Sequence, residues 1–406
     1  MGHNIRKKDR TEVHTHTALL ALFWICIFKL GYWAALLSAV KLWGNFNVFD
    51  VLYWPRNTAL TLSSHFIPYD GSFYLSIGET GYHAGDRACA FYPLWPLIIR
   101  WVSHLAHGEM LVTGLVSANV LSLIAWLLFF HIVSQHWGPN VATWALVYLI
   151  AFPGSLFYHF LYSESLFLLL LMGLWWALQH EYYGLAFGLA FLVPLTRAIG
   201  VFCLFPICWY ILAVSPPNWL KHRPRLFALL RGPNNVPGAQ KALRGWWLAS
   251  APLAGWLVYL SLMFLWTGNP FEGFAAQKYW EVHSVNNLWN VPKFVAAFLT
   301  PDTWHAFSGS LLDRSIFALL VCCLPLVWKL DRRLIAWVCV LGILPAMSGT
   351  FTSYTRFASV AFPLFIALGV YFAPPERRYL RYGVLGVFVV IHITLVWRYV
   401  NFQWAS

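Results

Sequence analysis

Only 10% of the residues in this chain carry a charge, so an acid or an arginine inside an apolar stretch calls for a reason. Four stand out. Asp70 sits in the run Tyr69-Asp70-Gly71-Ser72-Phe73-Tyr74-Leu75-Ser76-Ile77. In a helix, Asp70, Phe73, Tyr74 and Ile77 share one face. Such a helix would lie on a membrane with its carboxylate at the water boundary. The same carboxylate could be the N-cap of a helix over 71–79, although Phe73 leaves no capping box. Glu164 opens an apolar run, where it complements the helix dipole, and where it could also orient an arginine, bind ligand hydroxyls or take a proton. Arg197 falls between two short apolar runs, and Arg356 at the start of another. An arginine near bilayer depth is costly and a functional candidate by default. The structural alternatives are snorkelling and an ion pair, for Arg197 with Glu164.

Those residues have to be held by membrane-embedded elements. A spanning helix needs about 20 mostly apolar residues. Eleven segments qualify, at 17–40, 110–134, 141–160, 164–179, 183–196, 198–214, 246–266, 310–328, 334–347, 357–373 and 382–400. The fifth, sixth and ninth are short, and broken helices at membrane depth survive only when packed in protein or lining a cavity. The expected fold class is an all-α polytopic membrane protein of about 11 transmembrane helices, with residues 1–406 forming one membrane domain. Two long outer segments, 41–109 and 267–309, interrupt the spans, the first carrying interfacial helices.

Composition agrees. Hydrophobic residues make up 60% of the chain, and so few charges cannot cover a water-facing surface. The 24 Trp and 19 Tyr suit membrane–water interfaces. The net charge of +12 comes in short clusters between apolar runs, which argues against nucleic acid. The clusters are Arg6 to Arg10, Lys221 to Arg244, Lys329 to Arg333 and Arg377 to Arg381. An eleven-span arrangement puts all four on one side, the cytoplasm, with the N-terminus inside. Ten acids then fall outside, among them Asp50, Asp70, Glu79, Asp86, Glu164, Glu272, Glu281, Asp302 and Asp313. Six of the seven Cys lie in apolar runs and only Cys89 in a loop, so no disulfide pattern is legible. No cleavable signal peptide is expected, because the first apolar run is too long. Lys29, inside the first span, is expected to snorkel or to pair with an acid.

The chain resembles the PIG-V-type mannosyltransferases, the family of the enzyme that adds the second mannose of GPI anchors. The resemblance runs through Tyr69 to Tyr82, Phe91-Tyr92-Pro93-Leu94-Trp95-Pro96, Asn119, Gly138-Pro139 and Phe152-Pro153. It continues through Tyr162-Ser163-Glu164, Leu195-Thr196-Arg197, Gln277 and Trp280, and ends at Tyr354-Thr355-Arg356-Phe357 and Ala361-Phe362-Pro363-Leu364. These matches keep family order over nearly the whole chain. Tyr69 stands where the family more often has Trp, and Ala198-Ile199 where it more often has Pro-Thr.

The resemblance implies a GT-C-like bundle and transfer of a sugar, mannose in this family, from a polyprenyl (dolichyl-type) phosphate on the non-cytoplasmic face, with inversion. It makes Asp70 the catalytic base. Chemistry fits: the sugar phosphate already carries a leaving group, so the enzyme mainly needs a carboxylate to take the acceptor's proton and cations for the phosphate. Arg197 and Arg356 are expected to bind the phosphate, with Glu164 as the second catalytic carboxylate. Tyr74, Tyr82, Tyr354, Gln277 and Trp280 are expected to bind sugar or acceptor. Expected partners are membrane lipids, the lipid-linked donor and a glycan, glycolipid or protein acceptor. No cofactor is expected. His83, Asp86, His283 and His305 are the nearest to a metal set, without ligand spacing of the HExxH kind. The expected location is a prokaryotic plasma membrane. A transporter or flippase of lipid-linked sugars is the rival; its usual mark, paired broken spans in symmetric repeats, is not visible in the two halves.

Overall fold

The structure, a computed structural model, describes residues 2–48, 59–214, 246–280, 290–300, 303–307, 310–347 and 351–405. The side chains of the first basic cluster, the whole 215–245 cluster, and Asp50, Glu281, His283 and Asp302 lie outside the described residues. Among those described, the protein is helical, with one isolated bridge between Thr303 and Ser310.

Helix α1 (Gly2–Trp43) leads into a segment holding α2 (Asp70–Thr80) and α3 (Leu94–Ala106). There follow α4 (Met110–Trp137), α5 (Pro139–Ala151), α6 (Glu164–Gln179), α7 (Tyr183–Thr196) and α8 (Leu204–Val214). Beyond 215–245 come α9 (Ser250–Thr267), α10 (Val291–Leu299), α11 (Leu311–Leu330) and α12 (Arg333–Ala346). The chain closes with α13 (Tyr354–Ala358), α14 (Phe362–Phe372) and α15 (Arg378–Val400). Five of these, α1, α4, α9, α11 and α15, include stretches long and apolar enough to cross a bilayer. Shorter apolar helices occupy the other six expected places. This is an all-helical membrane protein.

The packing is that of a bundle in lipid. Helix α5 lies against α4 and α14, α6 between α4 and α7, and α9 against α7. Lipid tails are as apolar as leucine, so close van der Waals contact and interhelical hydrogen bonds hold such helices together. Glycines permit that contact: a Cβ on Gly255 would overlap the Phe191 carbonyl, and one on Gly369 the backbone of α5 at Ala145. The outward face of α1 stays unburied at Leu20, Phe23, Trp24 and Leu30, as suits a lipid-facing surface.

Three local expectations need correction. The 141–160 segment is not one helix. It stops at Ala151, because Phe152 precedes a proline and turns extended (ψ 137°), and a 3-10 turn over Pro153–Tyr158 follows. Likewise 357–373 breaks between α13 and α14. Lys29 neither snorkels nor meets an acid. Its ammonium donates to Asn119 Oδ1 (3.1 Å) and Ser122 Oγ (2.9 Å) on α4 and lies 4.3 Å over the Trp126 ring. Asn119 Nδ2 in turn donates to the His159 carbonyl (2.9 Å), and Ser122 Oγ lies 3.0 Å from that of Tyr158. The cation thus ties α1 to the irregular stretch leading to Glu164.

Candidate active site

Asp70 starts α2, and the residue before it is strained. Tyr69 has φ 56° and ψ −124°, a region that costs a non-glycine residue about 1–3 kcal/mol. It is held there by its hydroxyl, which donates to the Phe402 carbonyl (2.6 Å), and by Ser72, whose Oγ donates to the Tyr69 carbonyl (2.6 Å). Phe73, Tyr74 and Ile77 share a face as expected, but that face is buried within the protein and does not lie open on a membrane. The alternative reading of Asp70 as an N-cap does not hold: it is the first helical residue, and the residue before it, Tyr69, makes no side-chain cap. Its carboxylate goes elsewhere, with Oδ2 accepting from Arg356 Nη1 at 2.5 Å.

Arg356 comes from α13, a five-residue turn that follows two left-handed residues, Phe351 (φ 61°) and Ser353 (φ 57°). Its Nε lies 3.3 Å from Glu164 Oε1, close enough for an ion pair but off the line of a hydrogen bond. Glu164 begins α6 and is 1% exposed. The same Oε1 accepts a hydrogen bond from Arg197 Nη1. Arg197 stands in extended conformation (φ −155°) where α7 ends and a 3-10 turn over Ala198–Cys203 begins. Gly200 permits that break, since a Cβ there would overlap the backbone of Val193 and Pro194.

The four residues thus form one chain, Asp70–Arg356–Glu164–Arg197, drawn from positions up to 286 apart in sequence. Two carboxylates face two guanidiniums. Aromatic rings enclose them: Arg356 lies 5.6, 5.4 and 5.0 Å from the ring centres of Phe157, Tyr162 and Phe357, and Arg197 lies 5.0 Å from Phe357. Such surroundings strengthen every charge interaction inside. Burial works against the charge on Arg356, yet Asp70 and Glu164 outweigh it and push its pKa above the ordinary arginine value. Glu164 Oε2 is buried and finds no hydrogen-bond donor among the described residues. An unmade bond of that kind costs about 1–3 kcal/mol or more.

The other expected binding residues divide. Tyr74 reaches the cluster: its hydroxyl donates to Ser163 Oγ (3.1 Å), beside Glu164. Burial, then the carboxylates of Glu164 and Asp70, push its phenol pKa well up, so it stays a neutral donor. Trp280 packs edge-on against Phe73 of α2 (5.3 Å) and against Phe91 (5.4 Å). Gln277 is half-buried on the same 3-10 turn, Ala276–Trp280. Tyr82 and Tyr354 point away. Tyr82 donates to the Phe91 carbonyl (2.9 Å) and stacks on Trp266, and Tyr354 donates to the Gly342 carbonyl (3.0 Å). Phe157 and Tyr162, which flank Arg356, were not singled out as site residues, although Tyr162 opens the Tyr162-Ser163-Glu164 run that carries the resemblance. Among the described residues no three His, Cys, Asp or Glu side chains gather as a metal site would require. His83 instead accepts a hydrogen bond at its carbonyl from Cys89 Sγ (3.1 Å), and Asp86 caps the 3-10 turn Arg87–Ala90.

Fold and site together define an all-helical membrane protein with a buried carboxylate–arginine chain at the start of α2. No family model and no curated protein matches the chain. Among solved structures it is similar to the Archaeoglobus fulgidus oligosaccharyltransferase tethered with an acceptor peptide containing the NVT sequon. The two are 12% identical with a TM-score of 0.43, over 97% of this chain and 55% of that one. The chain therefore spans about half the length of that enzyme, and what it does is argued below from its own residues.

Proposed function

We propose that the protein is a membrane-embedded glycosyltransferase. It takes a sugar, mannose by the resemblance of its motifs, from a polyprenyl phosphate and passes it to a hydroxyl of a glycan, glycolipid or protein on the non-cytoplasmic face. The observation that carries this reading is the Asp70–Arg356–Glu164–Arg197 chain. Asp70, a carboxylate that can take a proton, sits on Arg356, which Glu164 links to Arg197, so a base and two cations suited to a phosphate occur in one chain, and this transfer needs both.

Before substrate enters, Asp70 is occupied by Arg356. A donor phosphate competes for that guanidinium and frees the carboxylate. The acceptor oxygen then attacks the anomeric carbon from the side opposite the phosphate. Its proton passes to Asp70, the bond between the anomeric carbon and the phosphate oxygen breaks, and the electron pair leaves with the polyprenyl phosphate, inverting the anomeric centre. The arginines stabilise the charge that grows on the leaving group, in surroundings where fixed donors are worth most. A sugar hydroxyl supplies the donor that Glu164 Oε2 lacks. We assign no resident cofactor, since the donor brings its own leaving group.

The test is incubation of the purified protein in detergent with radiolabelled polyprenyl-phosphate mannose and a lipid extract of the source cell. Label in a new product of inverted configuration supports the reading. Donor that binds and crosses a reconstituted bilayer, with no product formed, would replace it with transport.

A further inference from the structure

The turn that carries Arg356 is held at its N-terminal end by a residue outside the site. The first N–H groups of any helix lack partners within the helix, and the residue before α13, Ser353, supplies no side-chain cap. The Thr355 N–H finds its acceptor on another helix, at Oδ1 of Asp313 in the first turn of α11, 2.5 Å away. Asp313 is fully buried. Ser310 caps its helix by accepting from the Asp313 N–H at 3.2 Å, and His305 Nδ1 stands 3.8 Å from Asp313 Oδ2. The rest of the turn is pinned by others. Tyr158 donates to the Ser359 carbonyl (2.8 Å), and Ser359 Oγ to that of Arg356 (2.6 Å). Gly154 packs so tightly on the Thr355 carbonyl that a Cβ would overlap it.

We propose that Asp313 is a positioning residue for Arg356. It touches neither Asp70 nor Glu164. It fixes the N–H of Thr355, the residue before Arg356, and with it the direction in which the guanidinium leaves the turn. A carboxylate suits that place twice, as an acceptor for an orphan N–H and as a negative charge at a helix N-terminus. The inference rests on the reading of Arg356 as a phosphate ligand.

The test measures equilibrium binding of radiolabelled polyprenyl phosphate to the purified full chain in detergent. Asp313→Leu keeps the branched shape and removes the acceptor, so binding weakens about tenfold, the loss of one charged hydrogen bond. Asp313→Asn keeps an acceptor oxygen and stays within about threefold of wild type. Asp313→Leu placed on Arg356→Gln weakens binding no further, because the residue it positions is gone. A general role in the fold would instead give equal losses in both backgrounds, and that result overturns the proposal, as does wild-type binding by Asp313→Leu. Should Asp313→Leu fail to fold, Asp313→Ser, too short to reach the Thr355 N–H, must show the same loss. If Arg356→Gln alone binds as wild type does, the phosphate-ligand reading has failed, and the inference falls with it.

Discussion

Removing Arg356 should destabilise the ligand-free protein, and the loss should be largely recovered by also removing Asp70. Arg356→Met keeps a side chain of similar length but leaves Asp70 facing an apolar chain. Arg356 and Asp70 are 11% and 14% exposed at the side chain, so water does little to replace the pair. At an effective dielectric constant near 20, two unit charges about 4 Å apart interact by about 4 kcal/mol. Breaking a buried pair by taking away one partner typically costs 3–5 kcal/mol, most of it the orphaned charge. Glu164 contributes less to the loss, because Arg197 still holds its Oε1. The single substitution should therefore cost about 3–5 kcal/mol. The double substitution with Asp70→Asn removes the orphaned charge and should cost about 1–2 kcal/mol. Reversible denaturation in mixed micelles, compared across wild type, both singles and the double, reads these differences. A single variant as stable as wild type, or a double variant as unstable as Arg356→Met, would refute the reasoning.

Three further outcomes follow from groups away from the cluster. Lys29→Met should change stability by no more than about 1 kcal/mol, because Asn119 Oδ1 keeps its bond from Trp33 Nε1 (3.1 Å) and no acid is orphaned. Asn119→Leu should cost about 1–3 kcal/mol, because it strands the His159 carbonyl and the Trp33 indole and leaves the ammonium only Ser122 Oγ as acceptor; the same denaturation assay compares them. His305, in the short segment 303–307 before α11, is held neutral. Burial, then the nearby charge of Arg398, lowers its pKa from 6.5 to about 4. Its contribution is fully present above pH 6.5 and is lost as pH falls towards 4, since the unfolded chain takes up the proton first. Up to about 3 kcal/mol rides on that window. His305→Gln should flatten stability against pH there; an unchanged slope would count against this assignment.

Much of the scaffold was legible because lipid imposes a simple rule on sequence. Runs such as 164–179 and 183–196 have to satisfy their backbone internally, and both are helices with the expected bounds. The break at Pro153 was written in the Phe152-Pro153 pair and was lost only because the apolar run continues through it. Asp70, Glu164, Arg197 and Arg356 stood out as costly residues in apolar surroundings. Their meeting in one cluster was not legible, because it depends on how α2, α6, α7 and α13 pack. Tyr82 and Tyr354 looked like equal candidates to Tyr74 until the structure gave their hydroxyls to backbone carbonyls. Asp313 read only as one more outer acid, since its partner is a backbone N–H 42 residues away. Lys29 misled for a related reason: its acceptors are the amide of Asn119 and the hydroxyl of Ser122, and neutral acceptors leave no charge signature.

The most direct test of the central claim compares wild type with Asp70→Asn. Sugar transfer and binding of polyprenyl phosphate are both measured, in the purified protein. Asparagine fills the same space and cannot take the acceptor's proton, so transfer should fall by about 100-fold or more, with binding of the lipid phosphate kept within a few fold. Full transfer by Asp70→Asn would contradict the assignment of the base and the account built on it.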